Sequence, residues 1–529
     1  MVNKNLFSTK TGKVKTTRKT TKAEPTNTTN LAGGKAYKST VKHAIAQIAC
    51  TGTFNGTFYA SGSKIQDMLK EQLDELLKLE DGAEFLAKLA VYSHTSSYMK
   101  DLPAYLLVKL YLVNTDLFKS IFNKVVTNGK MLRNVVQIAR SGALGKKINL
   151  SNKVWRTVLK NWFDNQTGDS LFKANIGNDP KLADVIKMGR IKPSDNLDGM
   201  FKYILGKEYS INSLPENVKN YELFKKGVIK DPPNVDFRYL DSLPLTTADW
   251  TDIALNANFH TLRMNLNTFQ RHGVLSDSKV VSKLVEKLTD KKNILRSKVF
   301  PYQLMMTYLN AAVCTELNLA IQEAMEIATE NVSTFQGKTA ICVDVSGSMN
   351  SPVTGYNGTA TSKATCVNVA ALFASVYLRN NKNATVLPFD TRVHNVQLNP
   401  LDSVATNTKK LSISGGGTNC SVPLKHLNDI KSDAETIIFV SDNESWLSAN
   451  GRHWRGTGMM NEWAKFKKRN PNAKLVLIDL TPSVDSQVTN HTDILMVGGW
   501  SDEVFNVVNS FLSSDSMDHW VEKIESVEI

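Results

Sequence analysis

Between residues 36 and 337 the apolar positions return every three or four residues, the spacing that lines one face of a helix. Ile65, Met68, Leu69, Leu73, Leu76 and Leu77 form one such face, and Leu106, Leu107, Leu110 and Leu112 another. Leu284, Leu288, Leu304, Met305, Leu309 and Leu317 continue the pattern. Alternation with a period of two is scarce. Gly142, Gly145, Pro180, Pro193, Pro215, Pro232, Pro233 and Pro301 cut the region into helices of ordinary length. Roughly 300 helical residues without a sustained heptad predict stacked helix pairs, a HEAT-like solenoid, although no clean repeat period is visible. Trp155 and Trp162, seven apart, belong to the core of such a stack.

At about residue 338 the texture changes. Short β-rich runs at Thr339–Val343, Thr385–Phe389, Thr436–Val440, Lys474–Asp479 and Ile494–Val497 alternate with helical stretches near 362–380, 421–430, 457–469 and 501–512. This order predicts a parallel sheet covered by helices on both faces, a doubly wound α/β domain. Residues 1–35 are rich in Lys, Thr, Asn and Gly and nearly devoid of large apolar side chains after Phe7, so they read as a flexible basic arm. The predicted organisation is therefore an arm (1–35), a helical-repeat domain (36–337), an α/β domain (338–512) and a C-terminal tail (513–529).

Composition sharpens this picture in two places. The 529 residues carry 64 Lys and Arg against 50 Asp and Glu, a net charge of +14. Residues 1–337 hold 47 of the basic and 31 of the acidic side chains, a net of +16, and residues 338–529 hold the other 17 and 19, a net of −2. All the excess positive charge thus lies in residues 1–337, shared between the arm and the helical module, which points to a polyanionic partner, most naturally nucleic acid. The bland alternative is a solubilising bias, which does not require the asymmetry. The five cysteines (Cys50, Cys314, Cys342, Cys366 and Cys420) are scattered and form no CxxC pair, which argues against structural zinc or a disulfide framework and for a reducing, cytoplasmic setting. There is no run of about 18 apolar residues and no apolar signal segment at the N-terminus, so neither membrane insertion nor secretion is expected.

Candidate chemistry sits where the predicted strands end. Asp344-Val345-Ser346-Gly347-Ser348 places a carboxylate and two hydroxyls at alternate positions of a turn, and Ser441-Asp442 brings a second carboxylate to the same edge. Between them, Gly415-Gly416-Gly417-Thr418-Asn419 supplies a flexible loop with one hydroxyl. Hard oxygen ligands of this kind suit Mg²⁺ first and Mn²⁺ second. The alternative is that Asp344 and Ser346 only cap the following turn. The glycine loop lacks the Lys of a P-loop. No Ser-His-Asp or Cys-His set falls at the strand ends, and His394 and His453 read as solitary loop residues. Two outer carboxylates without a positioned base do not make a hydrolase, so no enzyme is expected.

The stations Asp344, Ser346, Ser348, Thr418 and Asp442 resemble the metal-ion-dependent adhesion site of von Willebrand A domains. Together with the helical module they resemble the Ro autoantigen (TROVE) family. The resemblance is carried by Val343–Met349, by Gly416–Leu424, by Asp442-Asn443-Glu444, and in the helical module by Ser97–Pro103, Leu262–Leu275 and Leu295–Tyr302. Asn419 stands where the family usually has Asp. Arg190, within Lys187–Pro193, stands where it has His, which keeps a cation able to stack. The resemblance implies a ring of HEAT-like helix pairs clasped by the von Willebrand A-like domain. It implies that Ser346, Ser348 and Thr418 bind the metal directly, that Asp344 and Asp442 act through waters, and that one coordination position stays open for an acidic group of a partner protein or, less typically, a phosphate. It also implies small non-coding Y-type RNA on a basic outer surface, single-stranded ends of structured or misfolded RNA in the ring cavity, and an exonuclease or other protein met through the metal site. On the matched segments the RNA-binding candidates are Lys100, Lys187, Arg190, Lys192, Arg263, Arg271, His272, Arg296 and Lys298. For any one of them, the alternative is a solvated charge or an internal ion pair. Asn265 and Asn267 either contact RNA or cap or bridge adjacent helices, and the structural reading is preferred. The competing reading of the whole chain is a metal-dependent protein-binding adaptor without obligatory RNA, and a metal-dependent nuclease stands behind it.

Overall fold

The computed structural model describes residues 28–29, 35–38, 40–51, 62–97, 99–332, 334–353, 363–413, 415–443, 445, 457–481, 485–487, 493–498, 500, 503–513 and 520–529. Nineteen α-helices among them run from Val41–Thr51 to Thr315–Ala328 and build the helical module. Their starts are written in short polar residues. Asn114, Asn128 and Asn152 accept the first free N–H groups of their helices, and Thr167 and Thr246 close reciprocal caps with Ser170 and Asp249. Several ends turn through the left-handed region: Gly142 and Gly206 do so without a Cβ penalty, whereas Arg190 (φ 52°) and Lys298 (φ 51°) do so with a full side chain.

Trp155 and Trp162 are buried, as their spacing predicts. Trp155 packs against Phe118, Phe122 and Tyr111, and the Trp162 indole donates to the Val126 carbonyl at 2.8 Å. Leu112 and Leu309, on the predicted apolar faces, are partly exposed instead.

Two short strands, β1 (Thr28–Thr29) and β2 (Lys35–Lys38), precede the first helix. The α/β domain contains β3 (Thr339–Asp344), β4 (Ala384–Phe389), β5 (Thr436–Ser441), β6 (Lys474–Asp479), β7 (Asp485–Ser486) and β8 (Ile494–Gly498). Five of these form one parallel sheet in the order β4-β3-β5-β6-β8. The predicted strands are each found to within one residue at either end. The helices of this domain are Cys366–Asn380, Val404–Leu411, Val422–Asp429, Gly458–Arg469 and Glu503–Ser513, of which Val404–Leu411 has no counterpart in the sequence reading.

Alternation along the strands divides the sheet's two faces. Ile341, Val343, Ile438, Val440, Val476, Ile478, Leu495 and Val497 share one apolar core with Cys366–Tyr377, Val504–Leu512 and the helical module. Ala340, Cys342, Leu387, Phe389, Ile437, Phe439, Leu475, Leu477 and Met496 form a separate core with Leu424, Leu427, Met459, Trp463 and Phe466.

The helical run meets the α/β domain at both of its ends. At the later end, Glu326 accepts the Val404 N–H at 2.6 Å and pairs with Arg379 at 3.3 Å, while Asn380 and Asn381 donate to carbonyls of residues 329–337. At the early end, helix Val41–Thr51 contacts β8 and a C-terminal helix, Trp520–Glu525, which also packs on Gly82–Thr95. Lys42 reaches Asp81 and Glu525 at 2.6 Å each, and Lys124 donates to the Glu528 carbonyl at 2.9 Å. Ile524 is completely buried there.

Both terminal segments make contacts with the rest of the chain. Within the expected C-terminal tail, residues 520–529 are held by the burial of Ile524 and the pairing of Glu525 with Lys42. Within the expected arm, Thr28 and Thr29 pair with Lys35 and Ala36, and β2 continues antiparallel onto β7 of the α/β domain. Residues 1–27 and 30–34 lie outside the described residues.

Replacing Ile524 with Ala leaves a cavity at this junction and should destabilise the protein by about 2–5 kcal/mol. A urea midpoint unchanged from that of the native chain would show that the C-terminal helix contributes nothing to holding the two parts together.

Candidate functional site

The order β4-β3-β5 means that the chain leaves β3 to one side and returns to the other. The crevice at the carboxyl ends of β3 and β5 is where such sheets bind ligands. Asp344 ends β3, Asp442 follows β5, Asp390 follows β4 and Asp479 ends β6, so every one of these four strands delivers an acid to this edge. Asp344 is completely buried; its Oδ1 accepts the Ser346 N–H at 2.8 Å and its Oδ2 the Ser441 hydroxyl at 2.5 Å. Burial, and after it the repulsion of Asp442, push the Asp344 carboxyl above the ordinary carboxylate range, against the pull of these hydrogen bonds. The folded state therefore holds a proton that the unfolded chain has already lost, so this group's contribution to stability falls as pH rises above the ordinary carboxylate value.

The hydroxyls converge on the same edge. Ser346 Oγ lies 3.3 Å from Ser348 Oγ, and Ser346, Ser348 and Thr418 are all buried. Backbone bonds stitch the two loops together: Gly347 N–H donates to the Gly416 carbonyl at 2.8 Å, and Gly415 N–H to the Val345 carbonyl at 2.7 Å. A Cβ on Gly415 would stand 2.6 Å from the Val345 oxygen and 2.8 Å from Asp390 Oδ2, so only glycine fits. The turn-capping reading of Asp344 is met by its bond from Ser346, but a cap needs neither full burial nor a second carboxylate nearby. Among the described residues no group of three or more His, Cys, Asp and Glu side chains is placed to hold a metal. An ion here would depend on the hydroxyls of Ser346, Ser348 and Thr418 with Asp344 and Asp442, an all-oxygen set that fits a hard divalent cation.

Asp390 is the residue that sequence reasoning missed. Its Oδ2 accepts the Gly416 N–H at 2.9 Å, its Oδ1 the Arg392 N–H at 3.0 Å, and its main-chain carbonyl the Asn419 N–H at 3.0 Å. Burial opposes its charge, but the hydrogen bonds from Gly416, Arg392 and His394 outweigh it and hold the carboxyl below its usual range. His394 is not solitary, since Nε2 lies 3.0 Å from Asp390 Oδ1; His453 and Glu444 lie outside the described residues. The available signal was an acid directly after a buried strand, the same one that marks Asp344. Asn419 accepts both the N–H and the hydroxyl of Ser421, at 3.1 and 2.6 Å, and so shapes the entry to helix Val422–Asp429.

The basic candidates divide by environment. Lys100, Lys187, Arg190, Lys192, Arg271, His272, Arg296 and Lys298 are exposed. Burial, then the nearby Lys130, lower the Lys100 pKa, which sets two cations close together at the start of helix Gly129–Ser141. Arg190 and Lys298 occupy left-handed helix ends, where their charge also complements the helix dipole. Arg296 and Arg271 each bond within their own helix, to Asn293 and Thr268. Arg263 is different: Nε meets His260 Nδ1 at 3.2 Å and Nη1 meets the Gln303 carbonyl and Thr307 hydroxyl at 3.3 Å, so it ties helices together. Asn267 likewise bridges the Asn310 carbonyl and the Ala312 N–H, and Asn265 bonds back to Thr261.

With this geometry in view, comparison with known proteins is informative. Residues 338–512 match the Ro60 vWA domain family. Over 521 residues the chain is 25% identical to the RNA-binding protein RO60 of Deinococcus radiodurans, covering 91% of this chain and 94% of that protein. The crystal structure of the Deinococcus radiodurans RO (RSR) protein superposes with a TM-score of 0.64 at 20% identity, covering 89% of this chain and 99% of that one, a likeness of fold.

Asp390→Asn exchanges an acceptor oxygen for a donor opposite an N–H and should cost about 1–3 kcal/mol. Because the native carboxyl titrates below its unfolded value, the stability it adds is present above about pH 4 and lost as pH falls through the folded value. Urea midpoints measured from pH 3 to pH 7 should therefore converge for the two proteins at the acid end, and parallel curves would refute this role.

Proposed function

From the Ro60-type von Willebrand A domain at residues 338–512, and the likeness to a Ro protein along nearly the whole chain, we propose that this protein is a non-enzymatic RNA-binding component of a ribonucleoprotein. Its basic helical module binds RNA. A small non-coding, Y-type RNA lies on the outer basic surface, and single-stranded ends of structured or misfolded RNA enter the cavity of the helical ring. The protein works in the cytoplasm, in the quality control or processing of such RNA. The observation that carries this reading is the charge division, +16 in residues 1–337 against −2 in residues 338–529, with Lys100, Lys187, Arg190, Lys192 and Lys298 all outward-facing. Phosphates bound by these cations release counterions, so affinity must fall steeply with salt.

The α/β domain holds a separate activity in this proposal. Ser346, Ser348 and Thr418, together with Asp344 and Asp442, would hold Mg²⁺, or Mn²⁺ in its place. When bound, the ion would supply a Lewis-acidic position for an acidic side chain of a protein partner, such as an exonuclease that receives the RNA. Asp344 orients Ser346 and takes up the ion's charge once deprotonated. Asp390 and the Gly415–Gly417 loop keep Thr418 at the edge.

Two measurements test these assignments. Converting Lys187, Arg190 and Lys192 together to Ala should weaken binding of single-stranded RNA and flatten the dependence of log affinity on log salt by about 2, roughly 0.7 for each phosphate contact. An unchanged slope in filter binding would remove those residues from the interface. Because the ion needs Asp344 as the carboxylate, Mg²⁺ should raise the melting temperature more at pH 8 than at pH 5.5. The shift should vanish in Asp344→Ala, and a shift of equal size in that variant would place the ion elsewhere.

A further inference from the structure

Helix Leu266–Arg271 ends beneath a small stack of rings that includes His272. Trp250 is almost completely buried, and Phe237 and Phe269 hold it with centroids 5.6 and 6.4 Å away. Phe237 and Phe269 also meet edge to face at 6.0 Å, so the indole rests on a fixed aromatic base. His272 lies flat on that indole, with centroids 4.2 Å apart and an angle of 16° between planes. The backbone holds it there. The His272 N–H returns to the Thr268 carbonyl at 3.1 Å, and Gly273 (φ 76°) turns the chain at once into Val274–Ser276.

His272 is nevertheless an exposed residue. Since one face of its ring is covered by Trp250, the opposite face and the edges make up that exposure. A flat π surface, open on one side and immobilised on the other, has already lost the rotamer freedom that an ordinary surface side chain gives up on binding. The ligand such a surface suits is another flat ring. Arg271 stands beside it, exposed, with Nη2 resting on the Thr268 hydroxyl at 3.1 Å. That leaves guanidinium N–H groups for a phosphate next to the stacked ring, so ring and anion together describe a nucleotide. Bases inside a duplex are already stacked, so the nucleotide is unpaired.

We propose that the open face of His272, backed by Trp250 and flanked by Arg271, is a seat for one unpaired base of single-stranded RNA. This assignment rests on the RNA-binding reading and deepens it by naming where a base, and not only the phosphate backbone, is held. Every base has a π face, so the seat is tolerant of sequence.

The test uses the full-length protein and two fluorescent probes of about ten nucleotides, oligoadenylate and a ribose-phosphate strand of the same length without bases. His272→Ala should weaken oligoadenylate binding about tenfold and leave binding of the baseless strand unchanged, and His272→Phe should restore the native value to within about twofold. Urea midpoints equal to the native one confirm that the variants are folded. If the native protein binds oligoadenylate and His272→Ala binds it equally well, or loses affinity equally for both probes, the seat is overturned and the RNA reading stands. If the native protein binds neither probe at low salt, the RNA reading itself falls, and the seat with it.

Discussion

The constraint on which the rest of the molecule depends is the period-two alternation of a sheet buried on both faces. The middle of each inner strand is apolar at successive positions, yet successive side chains point to opposite sides. Here one side closes over its own helices, while the other is continuous with the core of the helical module. The sheet is thus a wall shared by two bodies, and the helical run is anchored to it at both ends. At residues 326–337 the anchor is a set of half-buried amide and carboxylate bonds. At residues 520–529 it is one completely buried isoleucine, with lysines gathering the acids and carbonyl around it.

That wall also orients the chemistry. Parallel strands bring all their carboxyl ends to one edge, so acids that close each strand accumulate there whether or not each has the same role. Asp344 and Asp442 lie close enough for one to raise the pKa of the other, an arrangement that is costly for anions alone and favourable around a divalent cation. Asp390 is the contrast. Three backbone N–H groups, one on its carbonyl and two on its carboxylate, turn the same kind of strand-end acid into a fastener for the glycine loop. Environment, not residue type, separates the two roles.

The helical module shows the same separation among cations. Arg263 and Lys187 read alike in sequence, yet Arg263 is spent on Thr307, Gln303 and His260, whereas Lys187 faces outward. Arg190 and Lys298 are held at left-handed helix ends that ordinarily favour glycine, each followed by a buried apolar residue, Ile191 or Val299, that pins the turn. A rigid end of this kind presents a cation from a fixed backbone position. His272 extends the principle to an aromatic surface.

By itself the sequence determined the helical character of the described residues between Val41 and Ala328, the five strands of the parallel sheet, the burial of Trp155 and Trp162, and the placing of Asp344 and Asp442 at the sheet's carboxyl edge. Each of these is written in near neighbours: a period of 3.6 or 2, a cap, or a polar residue directly after a buried strand. The tertiary structure alone decided that Arg263 is held by Gln303 and Thr307 of another helix and that Asp390 reaches Gly416. It also decided that Lys35–Lys38 pairs with Asp485–Ser486, that Ile524 closes onto the first helices and that Trp250 backs His272. These contacts join positions far apart in the chain, and such a contact leaves no local pattern. It depends on which surfaces the fold brings within reach of a hydrogen bond or a ring, and that is settled only when the apolar faces have been buried together.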